Sequence, residues 1–294
     1  MEKTIFLILN IFNIMHADRA TSEPYISGDT FRKYAQFIID ETNMSFDPTL
    51  VKKGDIVFVA IGDLTNAEKF FNEYHSKINN KYILVTHNGD RTIPGKFKDY
   101  LDDEKIFIWF SQNIELEYHP KLIHIPIGLE NSHWKRNYVN LINKFLAQKQ
   151  HMQKNILLYG NFSLTSNAQI RQPIYNLFKN KSFCYFAQNK STHDYLLDVC
   201  NSKFILSPHG NGLDCHRTWE ALYLNVFPVV KKSSLDALYK DLPVVIVEDW
   251  HEVTEEFLEK KYKEICNQEY KKEKLYFKYW LNLILDYQER CKNS

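Results

Sequence analysis

Short apolar runs recur along the chain from about residue 55 onward, and they alternate with segments of helical character. Within each run the apolar residues follow one another without regular polar interruption. Continuous runs of this length are typical of strands that are covered on both faces in a parallel sheet. The pattern therefore predicts an α/β fold, with strands at residues 55–61, 82–87, 105–110, 122–125, 155–159, 183–186, 203–206, 226–230 and 243–247.

The predicted strands form two groups, which a polar, helix-like stretch over residues 133–153 separates. We interpret this stretch as the connection between two doubly wound, Rossmann-like domains, an N-terminal one over residues 21–150 and a C-terminal one over residues 151–294. Residues 255–291 carry apolar side chains at helical spacing among many Lys and Glu residues. This spacing predicts one or two amphipathic helices that pack on the domains.

Residues 1–20 have the character of a leader. Lys3 precedes an apolar run over residues 4–15, and small residues follow at Ala17 and Ala20. This order is typical of a signal peptide, and the run is shorter than the ~20 residues that a bilayer crossing needs. A buried first strand is the alternative. A signal peptide would place the protein in the secretory lumen or outside the cell, and a strand would leave it cytoplasmic; membrane contact is expected only through an uncleaved leader.

The overall charge and hydropathy exclude two classes of protein. The chain has 37 Lys and Arg residues against 36 Asp and Glu residues, and its mean hydropathy is −0.42. A balanced charge gives no general attraction to a nucleic-acid backbone, and the hydropathy rules out a polytopic membrane protein. The five cysteines are an odd number, so the sequence predicts no disulfide framework. A local basic pocket for one anionic ligand is compatible with this composition.

One segment, residues 203–230, combines a predicted strand, a glycine-rich turn and a predicted helix. Gly210 and Gly212 permit positive φ and close approach of the backbone to a neighbour, and Asp214 is placed to cap the helix that follows. The first amides of a helix have no partner within it, and they attract anions. The segment therefore predicts an anion-binding turn.

Charged and polar side chains are concentrated in this same segment. Arg217 and Glu220 share one side of the predicted helix, which places a cation beside a diphosphate and a carboxylate beside a ribose diol, as in many nucleotide sites. A plain glycine turn with a capped helix and a surface ion pair is the alternative. The density of such residues favours a ligand site, and its candidate donor-binding residues are Ser207, His209, Gly210, Asn211, Gly212, Asp214, His216, Arg217 and Glu220.

The stretch from Ser207 to Leu222, followed by Phe-Pro-Val-Val at residues 227–230, resembles the signature of exostosin-type glycosyltransferases. The resemblance is sharp over residues 203–247 and diffuse over residues 55–131. It implies a two-domain GT-B fold in which the C-terminal domain holds a nucleotide-sugar donor, expected to be UDP-linked.

The resemblance also implies roles for individual residues. Glu220 would hold the donor ribose, Arg217 the diphosphate, and the turn at residues 210–212 would line the phosphate pocket. Related sequences often have Arg where this chain has His209. The implied function is transfer of a sugar from a nucleoside diphosphate sugar to a hydroxyl group of a glycan or glycoconjugate. A non-catalytic nucleotide- or glycan-binding protein of the same fold is the alternative, since a fold does not fix a function.

Polar side chains follow several predicted strands of the first half, where the ligand crevice of an α/β sheet lies. We expect Asp63, Asn88 and Asn113 to lie on the acceptor side, together with the turn over residues 125–131. An inverting transfer needs a base for the acceptor hydroxyl, and our candidates are His87 and Asp90, with Asp63 third. A simple turn at residues 88–90 and a structural imidazole at His87 are the alternatives.

The sequence predicts metal-independent chemistry. It contains no Asp-x-Asp pair, the usual carboxylate arrangement for a metal that bridges the phosphates of a donor. We therefore expect the helix start and Arg217, with His209 or His216, to stabilise the leaving diphosphate, and we expect no cofactor. The sequence also lacks the phosphate-binding loop of nucleotide hydrolases and the nucleophile elbow of α/β hydrolases.

Overall fold

The computed structural model describes residues 19–62, 64–134, 137–148 and 152–294. Over these residues the chain folds into two five-stranded parallel sheets flanked by helices. Most of the predicted leader lies outside the described residues, which begin at Arg19, and so does Asp63. Within the described residues, no helix combines the length and the apolar character that a membrane crossing requires.

The first sheet is built from strands that lie side by side in chain order, and every neighbouring pair is parallel. Its strands are β1 (Phe37–Ile39), β2 (Ile56–Ala60), β3 (Tyr82–His87), β4 (Ile106–Ser111) and β5 (Leu122–His124).

The second sheet is also parallel throughout, and its strands are β6 (Ile156–Gly160), β7 (Cys184–Phe186), β8 (Ser202–Leu206), β9 (Phe227–Lys231) and β10 (Val245–Val247). Its order is β10-β9-β8-β6-β7. The direction of winding therefore reverses between β6 and β8, so the loops that leave these two strands diverge and open a crevice. In the first sheet the described strands show no such reversal.

The predicted α/β class is confirmed, and all nine predicted strands are present with ends within two residues of the prediction. β1 was missed because it has only three residues and its apolar run is too short to form a pattern. The continuous apolar runs arise because successive residues of a strand point to opposite faces of the sheet and both faces are covered. Phe58 of β2 packs into one apolar cluster and its neighbours Val57 and Val59 into another, so both faces of the sheet are buried.

The α-helices lie between the strands and at the chain end. They are α1 (Gly28–Lys33), α2 (Thr65–Lys69), α3 (Tyr138–Gln148), α4 (Ala168–Phe178), α5 (Thr192–Cys200), α6 (His216–Tyr223), α7 (Asp236–Tyr239), α8 (Glu255–Cys266) and α9 (Phe277–Asn293). The two C-terminal amphipathic helices that the sequence predicted are thus α8 and α9. Single-turn 3₁₀ segments occupy Pro48–Leu50, His75–Lys77, Trp250–Glu252 and Lys272–Leu275, a longer one spans Gly95–Leu101, and Phe70–Tyr74 is a π-helix.

Two helices pack against the sheet on the other side of the predicted domain boundary. α3, which the prediction placed in the N-terminal domain, packs against α5 and α6 beside the second sheet. α9, which the prediction placed in the C-terminal domain, packs on β3 of the first sheet. There Gln288 Nε2 donates a hydrogen bond of 2.9 Å to the Gly54 carbonyl. The chain therefore crosses between the two sheets more than once, which ties them together.

Candidate functional site

A cavity of about 400 Å³ lies between the carboxyl-terminal edges of the two sheets. From the first-sheet side it is lined by Asp90, Ile127 and Glu130. From the second-sheet side it is lined by Asn161, Phe162, Ser163, Ser166, Arg171, Tyr195, Gly210, Asn211, Gly212, Asp214, Cys215, His216, Arg217 and Glu220.

The cavity coincides with the crevice at the winding reversal of the second sheet. Asn161 to Ser163 come directly after β6, and Gly210 to Cys215 lie in the loop that follows β8. Ligands of open α/β sheets bind at this kind of position, outside the carboxyl ends of the strands. The topology therefore places the candidate turn where a ligand would be expected.

Arg217 lines the cavity and keeps a donor that no described residue uses. Its Nε donates a hydrogen bond of 2.8 Å to the Asn161 carbonyl, and its Cζ lies 5.6 Å from the ring centroid of Phe162. Its Nη1 is buried and has no hydrogen-bond partner among the described residues. A buried donor without an acceptor costs about 1–3 kcal/mol. An anionic ligand in the cavity would supply that acceptor.

Arg171 is a second cavity-lining arginine that the sequence analysis missed. It lies near the start of α4, and the three nitrogens of its guanidinium donate to the carbonyls of His209, Ser163 and Pro208 at 3.1, 2.9 and 3.4 Å. Burial and the nearby Arg217 lower its pKa. Its only sequence signal is its place near the start of the helix that follows β6. Because its donors are used on main-chain carbonyls, Arg171 holds the turn in place.

The two turn glycines lie close to protein side chains. A Cβ on Gly210 would lie 2.8 Å from Arg171 Nη2, and a Cβ on Gly212 would lie 2.8 Å from Asn113 Nδ2. The close neighbours of these two backbone positions are therefore an arginine and an asparagine of the protein. Neither glycine has positive φ. The Gly210 amide donates 3.1 Å to the Gly212 carbonyl, so that amide is already satisfied within the turn.

Asp214 does not cap α6, whose N-cap is Cys215. The buried Asp214 carboxylate accepts hydrogen bonds from the Ile127 amide at 2.8 Å, the Cys215 amide at 2.9 Å and Trp219 Nε1 at 2.8 Å, and Tyr239 Oη approaches to 3.3 Å. Burial raises the Asp214 pKa. With so many donors from the protein, this side chain joins the loops of the two sheets and has little capacity left for a ligand.

Glu220 is buried on the cavity wall between two tyrosines. Tyr195 Oη donates 2.7 Å to one carboxylate oxygen, and Tyr138 Oη donates to the other. Burial, and then the Glu220 charge, raise the pKa of both tyrosines, so the hydroxyls stay protonated and donate. A carboxylate oxygen has two lone pairs. Each oxygen of Glu220 therefore retains one for a ligand.

Three other predicted donor residues lie differently around the turn. Ser207 is buried, with its Oγ 2.9 Å from Thr218 Oγ1, and His209 Nδ1 lies 3.2 Å from the Gly210 carbonyl. Neither of these two residues lines the cavity. Asn211 does line it and is exposed at the tip of the turn.

His87 is buried and does not line the cavity. Its Nδ1 accepts a hydrogen bond of 2.8 Å from the Asn88 amide, and its Nε2 donates 3.1 Å to the Pro126 carbonyl. Burial lowers its pKa to about 4. Both ring nitrogens are thus occupied in a neutral imidazole, so this geometry offers no free lone pair to an acceptor. It matches the structural imidazole that the sequence analysis kept as an alternative.

The other first-half candidates are divided between the cavity and the framework. Asp90 lines the cavity and is exposed. Asn88 Oδ1 accepts 2.9 Å from Asn131 Nδ2, and the buried Asn113 donates 3.0 Å to the Gly89 carbonyl. Asn88 and Asn113 both have positive φ. They therefore shape the loops beneath Asp90.

A histidine and a carboxylate from opposite sides of the cavity face each other. His216, the first residue of α6, holds the Gly128 carbonyl 2.8 Å from its Nδ1. Its Nε2 lies 3.7 Å from Glu130 Oε2. Glu130 belongs to the turn over residues 125–131 that the sequence placed on the acceptor side, although it was not singled out there.

No group of three or more His, Cys, Asp or Glu side chains that could hold a metal ion lies in the described part of the chain. All five cysteines are free thiols. No protein-family model and no curated protein sequence matches this chain.

Proposed function

We propose that this protein is a GT-B-type, exostosin-like glycosyltransferase that moves a sugar from a nucleoside diphosphate sugar to a hydroxyl group of a glycan or glycoconjugate. The observation that carries the proposal is the unpaired Nη1 of Arg217 in the cavity at the winding reversal. A buried guanidinium with a free donor is matched by a phosphate group. The resemblance of residues 207–222 to the exostosin signature supports the same assignment.

In this proposal each part of the nucleotide sugar is bound by a different part of the cavity wall. The diphosphate lies on Arg217 and the first amides of α6, which attract an anion. The ribose diol donates to the remaining lone pairs of Glu220. The sugar then points toward Asp90 and Glu130, on the first-sheet side. Arg217 would stabilise the charge that develops on the leaving diphosphate without a metal ion.

Titration calorimetry with UDP, together with an assay for released nucleoside diphosphate, tests this function. A panel of nucleotide sugars is incubated with the protein and simple glycan acceptors. We expect UDP binding and release of the diphosphate from at least one donor in the panel. Binding with no release from any donor would favour the non-catalytic alternative. No binding of any nucleoside diphosphate would contradict the transferase and would leave only a glycan-binding protein.

A further inference from the structure

One ring nitrogen of His216 is fixed as a donor. Its Nδ1 lies 2.8 Å from the Gly128 carbonyl, which can only accept, so Nδ1 carries the proton. Gly128 packs closely against Ile26, because it has a φ of 68° and any Cβ there would lie 2.2 Å from the Ile26 carbonyl. In the neutral imidazole the lone pair is therefore on Nε2.

His216 lines the cavity, and its Nε2 is the ring nitrogen that the Gly128 carbonyl does not hold. Its nearest charged partner is Glu130 Oε2, at 3.7 Å, and both side chains are about one-third exposed. This distance is too long for a hydrogen bond, so Nε2 stays accessible while the carboxylate faces it. A base that is oriented by a second group and backed by an anion is the arrangement that activates nucleophiles in many enzymes.

His216 also sits beside the proposed leaving group. It precedes Arg217 at the start of α6, and both line the cavity. His216 also interacts electrostatically with Asp214 and His87, and the charged side chains of Asp90, Arg217 and Glu220 line the same cavity. A proton acceptor at this place is within reach of a hydroxyl that approaches the anomeric carbon from the first-sheet side.

We propose that His216 is the catalytic base of the transfer and that Glu130 is its positioning residue; this inference rests on the proposed function. The acceptor hydroxyl gives its proton to His216 Nε2 as its oxygen forms a bond to the anomeric carbon. The bond between that carbon and the diphosphate oxygen breaks, and the diphosphate leaves with the electron pair beside Arg217. The proton on Nε2 then passes to water.

The other candidate bases fit this role less well. Both nitrogens of His87 are occupied and buried. Asp90 is exposed at the cavity rim, and its carboxylate makes no hydrogen bond among the described residues, although its charge acts on Arg171. We therefore expect Asp90→Asn to lower kcat by less than about tenfold, whereas loss of a general base lowers it by about 10²–10⁴-fold.

The test compares His216→Asn with His193→Asn, a substitution at an exposed histidine on α5. The introduced amide at position 216 keeps a donor for the Gly128 carbonyl and removes the base. We expect kcat to fall about 10²–10⁴-fold with UDP affinity within about threefold of wild type, and we expect no change for His193→Asn. Added imidazole should restore part of the turnover of His216→Ala, which a purely structural role would not allow.

The role of Glu130 is read from a double mutant. If Glu130 acts through His216, Glu130→Gln lowers kcat in the wild-type background and has little further effect in His216→Asn. A wild-type rate for His216→Asn would overturn this inference and leave the proposed function standing. A second result would also overturn it: Glu130→Gln lowers kcat as much as His216→Asn does, and imidazole fails to restore the turnover of His216→Ala. A wild-type protein that binds UDP and releases no diphosphate would overturn the proposed function and this inference with it.

Discussion

Asn113 and Asp214 join the two halves of the molecule by a short hydrogen bond. The Asp214 amide, in the loop after β8, donates 2.8 Å to Asn113 Oδ1, in the loop after β4. The Asp214 carboxylate also contacts the first-sheet side, because it accepts a hydrogen bond of 2.8 Å from the Ile127 amide. Together these two contacts tie the loop after β8 to the first-sheet side, and Ile127 and Asp214 both line the cavity.

The Asn113 contact predicts a measurable stability cost. Asn113→Ala removes the acceptor for a buried amide and places alanine at a φ of 53°, so we expect a loss of about 2–4 kcal/mol in the free energy of unfolding. Asn113→Gly is the control, because glycine adopts this φ without strain. Urea denaturation should find the glycine variant about 1 kcal/mol more stable than the alanine variant. Equal stabilities would show that the backbone conformation contributes nothing.

The two cavity arginines should respond differently to substitution. Arg217→Ala removes the free donor, so we expect about a 100-fold fall in turnover and weaker UDP binding, with the free energy of unfolding changed by about 1 kcal/mol or less. Arg171→Ala leaves three main-chain carbonyls without their donors, and we expect about 2–4 kcal/mol of destabilisation. UDP affinity is measured by calorimetry and the free energy of unfolding by denaturation, on both variants. Wild-type turnover in Arg217→Ala would refute its assignment.

The hydrogen bonds that two tyrosines donate to Glu220 predict that Tyr138→Phe destabilises the protein. This change removes a hydroxyl donor from a buried carboxylate, and hydrogen bonds to charged groups contribute about 1.5–3 kcal/mol. Tyr25→Phe is the matched control, since Tyr25 Oη donates 2.6 Å to the neutral Asn143 side chain and its loss should cost about 1 kcal/mol. Thermal denaturation of the two variants provides the comparison, and a cost for Tyr138→Phe no greater than that of the control would contradict it.

His87 predicts a loss of stability in acid. Its pKa falls from 6.5 to about 4 on folding, so the unfolded chain binds the proton more tightly. The corresponding stabilisation is complete above pH 6.5 and is lost as the pH falls toward 4, by about 2–3 kcal/mol at pH 4.5. Between pH 7 and pH 4.5 the free energy of unfolding should fall in both proteins. We expect the fall to be about 2–3 kcal/mol smaller in His87→Gln than in wild type. Parallel curves for the two proteins would rule out His87 as the source.

The strands could be predicted because each one is a local pattern. β2, β3 and β4 are continuous apolar runs, and their burial on both faces follows from packing between layers of the fold. The contrast is β1, whose three residues form a strand through pairing with β2. The packing of α3 and α9 across the predicted boundary also depends on long-range contacts, so no local pattern reports it.

The candidate site was predicted in part for the same reason. Arg217, Glu220 and the turn glycines are close in the chain, and the structure brings them to one cavity. Arg171 and Glu130 come from distant segments and carry no comparable signal. Asp214 and His87 have the residue types of a ligand site, yet the donors and carbonyls that satisfy them come from other loops. Residue type alone could not show that these two groups are already paired.

The amino-acid sequence by itself determined the α/β class, the order of most strands and helices, and the turn with its arginine and glutamate, because all of these depend on neighbours within a few residues. The tertiary structure alone decided which polar groups are available to a ligand. Availability depends on whether a partner arrives from elsewhere in the chain, as Pro126 does for His87 and Gly128 for His216. Buried polar groups are almost always hydrogen-bonded, and a partner from a distant segment comes within hydrogen-bond distance only after the two sheets have come together.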